Sequence, residues 1–295
     1  RVLSTPGRSM SALLSRSILT RSWAALRRAS TTERIYADIP LSMQLKHHLG
    51  MLQMAYKTRN IYRDFEIRDA TMKDLPVIMD MMPGFLKDEP LGRAVGVTDM
   101  ADMRSALEYF VVLSIKHDPN FHFPKIAFHK ETGKAAAARF MNIIYRDPNA
   151  DPIMPPPPVT PKQQLIFGVT DALVDKFFSI VKEDRAVFGN FIYVVPEFRS
   201  SGLFQVAYEY DLDFDYHMAQ GLRYALMTIT AVKSQKLAGD RAFKLRAISD
   251  QVVKGVDGTP VLLDHPIHLV SLDFTKRRSY NVKPYWEALA KVGLI

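Results

Sequence analysis

The 295-residue chain contains no cysteine. Disulfides, cysteine-ligated zinc, iron–sulfur clusters and a thiol nucleophile are therefore excluded. Long apolar runs are also lacking. The longest candidates, such as Tyr109–Ile115, have the length of a core strand or helix segment, well short of the ~18 residues that a membrane-spanning helix needs. Acidic residues are missing from positions 1–32, where six arginines (Arg1, Arg8, Arg16, Arg21, Arg27, Arg28) and no lysine carry the charge. The formal charge of the whole chain is +8, and the part beyond residue 32 keeps only +2 of it. A nearly neutral remainder does not supply the basic surface expected of a nucleic-acid-binding domain. There is no internal repeat. The rest is ordinary for a globular protein, with 47% hydrophobic and 24% charged residues. The length suits one large domain or two small ones.

The first 32 residues combine arginine and serine with Leu13, Leu14, Ile18, Leu19, Trp23 and Leu26. An acid-free, arginine-rich amphipathic segment has the composition of a mitochondrial transit peptide. The expectation is import into the matrix, with processing near Arg28-Ala29-Ser30. Met10 is a candidate start of translation. The competing reading is a basic arm with no address. Arginines interrupt every apolar stretch, which argues against a secretory signal.

Residues 33–63 read as a helical adaptor, with Leu45, Leu49, Leu52 and Met54 on a partly amphipathic helix. From residue 64 onward the pattern is that of one mixed α/β domain, a twisted central sheet flanked by helices. Phe65–Ala70 alternates as a strand. Thr71 or Asp74 then caps a helix bearing Leu75, Ile78, Met79 and Met82, which Pro83-Gly84 is expected to break. A second helix is expected around Met100–Ser114. Lys125–Lys130 and Lys134–Ile144 form a hairpin around Glu131-Thr132-Gly133. Seven prolines lie between Pro148 and Pro161. Pro155–Pro158 should be extended and solvated, as a surface insertion or a ligand for a proline-reading partner. The insertion spans about 146–188, and its part from Pro161 to Phe188 reads as helical. Asn190–Val195 is a strand, Gly202–Gln220 a helix closed by Gly221, Tyr224–Thr230 a buried strand and Ser234–Ile248 a helix. Val252–Gly255 and His268–Lys276 are expected to form a final hairpin about Asp257-Gly258-Thr259-Pro260.

The strand–turn–helix at Ile192–Gln205 is the first place where chemistry is legible. A helix that opens directly after a buried strand presents unpaired N–H groups and the positive end of its dipole, a site suited to phosphate. Gly202 allows close approach to the backbone and Arg199 adds charge. An ordinary strand-to-helix turn with a solvated arginine accounts for the same residues.

Val194-Val195-Pro196-Glu197-Phe198-Arg199-Ser200-Ser201-Gly202-Leu203 resembles the acyl-CoA motif of the GNAT N-acyltransferase superfamily. The resemblance runs from about Phe65 to Lys276 and implies a GNAT-like fold. It also implies that the strand and turn hold acetyl-CoA or another acyl-CoA, through Tyr193, Val194, Val195, Arg199, Ser200, Ser201, Gly202, Leu203 and Phe204. Phe204 departs from the pattern, which usually has Gly or Ala there. Phe85-Leu86-Lys87-Asp88-Glu89-Pro90-Leu91 is similar to a segment of the invertebrate arylalkylamine N-acetyltransferases, in which the glutamate is the general base; the resemblance carries that role to Glu89. The same branch has serines at the start of the helix after the second core strand. Ser234 fits one position, and Ala238 stands at the other.

The chemistry is coherent on its own terms. An alkylamine is largely protonated at neutral pH and must lose a proton before it attacks a thioester. A carboxylate in a partly dry cleft supplies that base, and Glu89 competes with a plain solvated loop glutamate for the role. Strand N–H groups of Ile192–Val195 can stabilise the oxyanion. Ser234, Tyr193 or water can reprotonate the thiolate. The acceptor is a small-molecule amine, with an arylalkylamine the guess by resemblance and a glycine-type or polyamine acceptor open. A catalytically silent scaffold or CoA-sensing module, or an acetylase of protein amines, are the alternatives. Metal binding is not expected: Asp211, Asp213 and Asp215 are placed on a helix, where i and i+2 diverge, and His47-His48 and His265-Pro266-Ile267-His268 lack partners at ligand spacing.

Overall fold

The computed structural model describes residues 41–147, 149–150, 153–207, 211–240, 244–254, 257–276 and 281–295. The expected transit segment lies outside them. The described residues form two compact units, one of residues 41–63 together with 281–295, the other of the described residues between 64 and 276. The chain enters through helices α1 (Leu41–Lys57) and α2 (Arg59–Asp64).

The second unit is a seven-stranded sheet flanked by helices. Its strands are β1 (Phe65–Asp69), β2 (Lys125–His129), β3 (Ala135–Tyr145), β4 (Arg185–Val194), β5 (Tyr224–Ile229), β6 (Lys244–Ile248) and β9 (His268–Asp273). Their order is β1-β2-β3-β4-β5-β9-β6. Every neighbouring pair is antiparallel except β4 and β5, which run parallel. The hairpin between β2 and β3 turns at Gly133, whose φ of 67° is the left-handed conformation a tight turn requires. Beside the main sheet, β7 (Val252–Lys254) and β8 (Pro260–Leu262) form a two-stranded ribbon.

Helices α3 (Leu75–Asp88), α5 (Met100–Lys116) and α6 (Pro161–Ile180) are the long helices of this unit, and the five-residue α4 (Pro90–Ala94) follows α3. Ile78, Met82, Leu86, Val111 and Phe177 from them share a core cluster with Phe140, Phe191 and Leu226 of the sheet. A second cluster joins Met141, Val187, Met227 and Val270 to Phe123, Phe214 and Phe274. Each such side chain contributes roughly 1.5–3 kcal/mol by leaving water. The short helices α7 (Leu203–Ala207), α8 (Phe214–Ala219) and α9 (Val232–Asp240) follow β4 and β5.

Several expectations are corrected. Pro83 does not end its helix, because α3 continues to Asp88. The proline removes one backbone donor, but Ile78, Met79, Met82 and Leu86 are buried on one face and hold the helix together across it. The helical insertion ends at Ile180, and residues 185–188 already belong to β4. The expected helix Gly202–Gln220 is interrupted. Asp211 takes a left-handed φ of 60°, and the Asp213 carboxylate caps α8 by accepting from Asp215 N and Tyr216 N at 3.1 and 3.0 Å. The three aspartates therefore do not share one helix. Residues 244–248 leave the expected helix and form β6, since pairing with β9 satisfies their backbone where the apolar spacing alone suggested α. The turn at Asp257–Pro260 is present, but it joins β7 to β8, while β9 sits between β5 and β6.

In the first unit, α10 (Lys283–Lys291) packs on α1. Trp286, 2% exposed, donates its indole N–H to Ala55 O at 3.1 Å and to Thr58 Oγ1 at 3.0 Å. A buried indole needs such an acceptor, and the C-terminal turn of α1 provides it.

Candidate active site

The parallel pairing of β4 with β5 covers only Val187–Gly189 against Ala225–Met227. Beyond Gly189 β4 remains paired with β3 up to Val194, and its other edge is open to a cleft. The cause is local. The β3–β4 register slips between Phe140 and Met141, which leaves Asn190 as the extra residue of a bulge, and a bulge bends its strand and increases the twist. Val195 N donates to Ala136 O at 2.9 Å. By the alternation of an antiparallel ladder, the N–H groups of Ile192 and Val194 then point away from β3, toward the open side.

The cleft has a volume of about 1200 Å³. Its walls include β4, the turn Phe198–Phe204, the end of β5 with the start of α9, and parts of α3, α5 and α6. It gathers the sequence-derived candidates Glu89, Tyr193, Val194, Arg199, Ser200, Ser201, Gly202, Leu203, Phe204 and Ser234. Val195 does not line it; its N–H donates to Ala136 O of β3.

The turn after β4 is built by two left-handed residues, Ser200 at φ 69° and Gly202 at φ 88°. Eight residues, with a single 3-10 turn at Pro196–Phe198, lead from β4 to α7, and the two left-handed residues reverse the chain just before the helix begins. The N–H groups of Leu203, Phe204 and Gln205 lie in the first turn and have no acceptor within their own helix; Leu203 N is met by Ser201 Oγ at 3.2 Å. Leu203 itself is buried, which fixes the helix on the sheet. The Phe204 ring packs against the second core cluster and forms part of the cleft wall.

Arg199 is engaged. Its Nε donates to Val194 O at 3.0 Å and its Nη2 pairs with the Asp88 carboxylate at the end of α3. Its guanidinium also lies 5.7 Å from the Tyr193 ring centre. The arginine thus ties the turn to α3 at the rim of the cleft. An anion arriving at this turn would have to compete with Asp88 for it. Asp88 is a residue that sequence reasoning missed, although its place directly before Glu89 was visible.

Glu89 sits between α3 and α4, partly buried. Its Oε2 accepts the Gly92 N–H and so caps α4, a geometry that fixes the side chain. Oε1 has no hydrogen-bond partner among the described residues. Gly92 is required here: a Cβ on it would stand 2.8 Å from Val97 O.

Tyr193 is buried, and its hydroxyl lies directly over Gly84 of α3. Burial, followed by the Asp88 charge, raises its pKa above the usual phenol value. Phe85 and Phe191 continue this aromatic wall, with ring centres 5.3 Å apart. Ser234, on the first turn of α9, is partly buried on the opposite wall, and its hydroxyl has no hydrogen-bond partner among the described residues. Ala238 is fully buried in the second core cluster, so a hydroxyl at that position would face the core, not the cleft.

Nothing forms a group of three or more potential metal-ligating His, Asp or Glu side chains among the described residues. Asp211 is instead placed 3.3 Å from Lys125 Nζ, which also reaches Asp69 at 2.6 Å.

No protein-family model matches the sequence, and no curated protein does. Solved structures do match. An arylalkylamine N-acetyltransferase 2 from Aedes aegypti aligns with a TM-score of 0.56 at 17% identity, over 71% of this chain and 99% of its own. A mosquito arylalkylamine N-acetyltransferase-like 5b gives 0.56 at 15% identity, and an agmatine N-acetyltransferase 0.54 at 15%, both with the same coverage. The sheet order, the diverging β4 and β5 and these alignments agree: the chain has the GNAT fold, in a form resembling the insect arylalkylamine N-acetyltransferases.

Proposed function

We propose that the protein is an N-acyltransferase that moves an acetyl or other short acyl group from CoA to a primary amine. The observation that carries this reading is the meeting of three features in one cleft: the open edge of β4, the Arg199–Gly202 turn and Glu89. A narrow parallel opening beside unpaired strand N–H groups suits an extended amide-bearing arm, and the first turn of α7 suits a diphosphate. The residues that would hold acyl-CoA are Tyr193, Val194, Arg199, Ser200, Ser201, Gly202, Leu203 and Phe204. When bound, it would supply a thioester activated toward an amine.

The chain's own groups divide the remaining work. Glu89, with Oε1 unengaged, takes a proton from the ammonium, directly or through water. The amine nitrogen then forms the new C–N bond, the C–S bond breaks, and the thiolate receives a proton from Ser234, Tyr193 or water; the surplus proton on the adduct nitrogen replaces the one that donor gave up, and the proton taken by Glu89 leaves to solvent. The N–H groups of Ile192 and Val194 face the side where negative charge develops on the carbonyl oxygen. With no cysteine in the chain, direct transfer between the two substrates is favoured over a thioester on the enzyme. The aromatic wall of Phe85, Phe191 and Tyr193 is the feature that supports an arylalkylamine as acceptor.

The test is acetyl-CoA binding followed by amine-dependent release of CoA thiol, lost in Glu89→Gln. Binding without release across a broad set of amines would support the second reading, a CoA-sensing module; the Arg199–Asp88 pair, which occupies the arginine, favours instead a scaffold that binds no CoA. No binding at all would support a scaffold. We further propose that residues 1–32 direct import into mitochondria, on the strength of their acid-free arginine pattern. A fluorescent reporter carrying those residues should enter isolated mitochondria, and one in which the six arginines are replaced by glutamine should not.

A further inference from the structure

The cleft continues past the place where a thioester would lie. The turn Phe198–Phe204 follows the C-terminal end of β4, and the outward N–H groups of Ile192 and Val194 lie between that turn and the bulge at Asn190. A donor anchored at the turn and laid along this edge runs back toward Asn190. There the route within the sheet closes, because Val187–Gly189 pair with Ala225–Met227. Whatever is attached to the end of the donor's arm continues only by leaving the sheet over one of its faces.

One face offers a path. Next to the closure, the cleft is lined by Phe188 of β4, Ile144 at the end of β3, Phe110 of α5, and Phe167 and Val174 of α6. All five belong to the first core cluster or pack against it. The Phe110 and Phe167 rings meet edge to face with centres 5.8 Å apart and join α5 to α6. The polar ties between these helices lie at the start of α6, where Lys162 reaches Asp102 at 2.7 Å and Gln163 Nε2 donates to Asp102 O at 2.8 Å. The charged side chains that line this part, Arg146, Asp147 and the pair Asp171 and Asp175 on α6, are exposed. Charge therefore stays with solvent, and the walls further in are apolar.

A different segment points the same way. Residues 155–160, without helix or strand, continue from Met154, whose carbonyl accepts from the Tyr109 hydroxyl of α5 at 3.2 Å. Ile153 and Val159 flank this strap and line the cleft, yet they are 46% and 42% exposed. Apolar side chains left in water on a cleft wall gain by being covered with apolar surface. An acetyl group offers them a single methyl.

We propose that this apolar arm holds the acyl chain of the donor, so that the protein prefers a straight-chain acyl-CoA longer than acetyl-CoA. The inference rests on the acyltransferase reading and narrows its donor; the bonds made and broken in the transfer are unchanged. Phe110, Phe167, Val174, Ile153 and Val159 are specificity residues in it, with no part in moving protons.

The experiment compares octanoyl-CoA with acetyl-CoA on the full chain, binding by calorimetry and transfer by thiol release with 2-phenylethylamine. Each methylene taken out of water is worth about fourfold in affinity, so octanoyl-CoA should bind at least about tenfold more tightly. V174W, which fills the arm, should weaken octanoyl-CoA about tenfold more than acetyl-CoA. I153S/V159S, at exposed positions outside the core, should lower the preference about fourfold without moving the denaturant midpoint. Equal affinity for the two donors in the native chain, or a preference undiminished in both variants, overturns the proposal and leaves acetyl transfer standing. An octanoyl preference without thiol release supports the acyl site and counts against the transfer reading alone. Failure of both donors to bind overturns the two together.

Discussion

At the scale of single residues, the cleft depends on close approaches that leave no room for a methyl group. The Tyr193 hydroxyl lies over Gly84, well inside the distance a Cβ would need. Gly84→Ala therefore has to push the Tyr193 ring off α3, together with its contacts to Phe85 and Arg199. The expected cost is about 1–3 kcal/mol of stability, read as a lower denaturant midpoint. Acetyl-CoA affinity should fall as well, since Tyr193 and Arg199 line the cleft. A Gly84→Ala protein with unchanged midpoint and unchanged affinity would mean that the tyrosine does not need this place. Glu89 shows a related economy. One oxygen caps α4 and the other has no hydrogen-bond partner among the described residues, so Glu89→Gln can keep the cap through its amide oxygen and would lose the proposed base.

At the scale of elements, much was legible in the sequence. The β2–β3 hairpin was marked by Gly133, and the start of the α3 region by Thr71 and Asp74, where both halves of a capping box form. The strand–turn–helix at the site was legible because Arg199 and Gly202 fall within the eight residues between the strand pattern and the helix pattern. Three things were not. Residues 244–248 carry apolar spacing that suits a helix, and only the edge of β9, distant in sequence, makes them a strand. The break near Asp211 depends on Lys125, some 86 positions away, and on Arg139, a buried cation that donates to Ala207 O at 3.0 Å and His122 O at 2.5 Å. The bulge at Asn190 that opens β4 has no local signature either.

Two buried histidines also give the molecule a pH dependence. His117 closes α5 and His217 lies in α8, both buried, and burial pushes each pKa down from 6.5 to about 4. The folded protein keeps them neutral where the unfolded chain would protonate them. Stability is therefore complete above about pH 6.5 and declines as the pH falls toward 4. The decline is up to about 3 kcal/mol for each ring by the linkage of proton binding to folding. The lowered carboxyls of Asp69 and Asp74, each near 2, weaken the fold only at still lower pH. Urea midpoints at pH 7 and pH 4.5 check this, with His217→Gln expected to flatten the slope. Equal midpoints for the native chain at the two pH values would contradict it.

At the scale of the whole molecule, charge is divided by region. The arginines of residues 1–32 account for most of the +8, while the remainder is close to neutral. In the unit of residues 64–279 the same division recurs in miniature: the acidic pair on α6 sits in one arm of the cleft and the N–H-rich turn of α7 in another. A cationic amine and a polyanionic acyl donor would approach the same opening on surfaces of opposite character. The fold agrees with that arrangement, since a diverging pair of parallel strands gives a site that neither strand alone could hold.

The central claim is that Glu89 deprotonates an amine beside an acyl-CoA held by the turn after β4. The most direct measurement is the pre-steady-state release of CoA thiol from acetyl-CoA with an arylalkylamine such as 2-phenylethylamine, in native protein and Glu89→Gln, each first shown to bind acetyl-CoA. The account predicts equal binding and a rate lowered about 10²–10⁴-fold in the variant, with part of the loss recovered at high pH as free amine accumulates. Equal binding with an unchanged rate would contradict it.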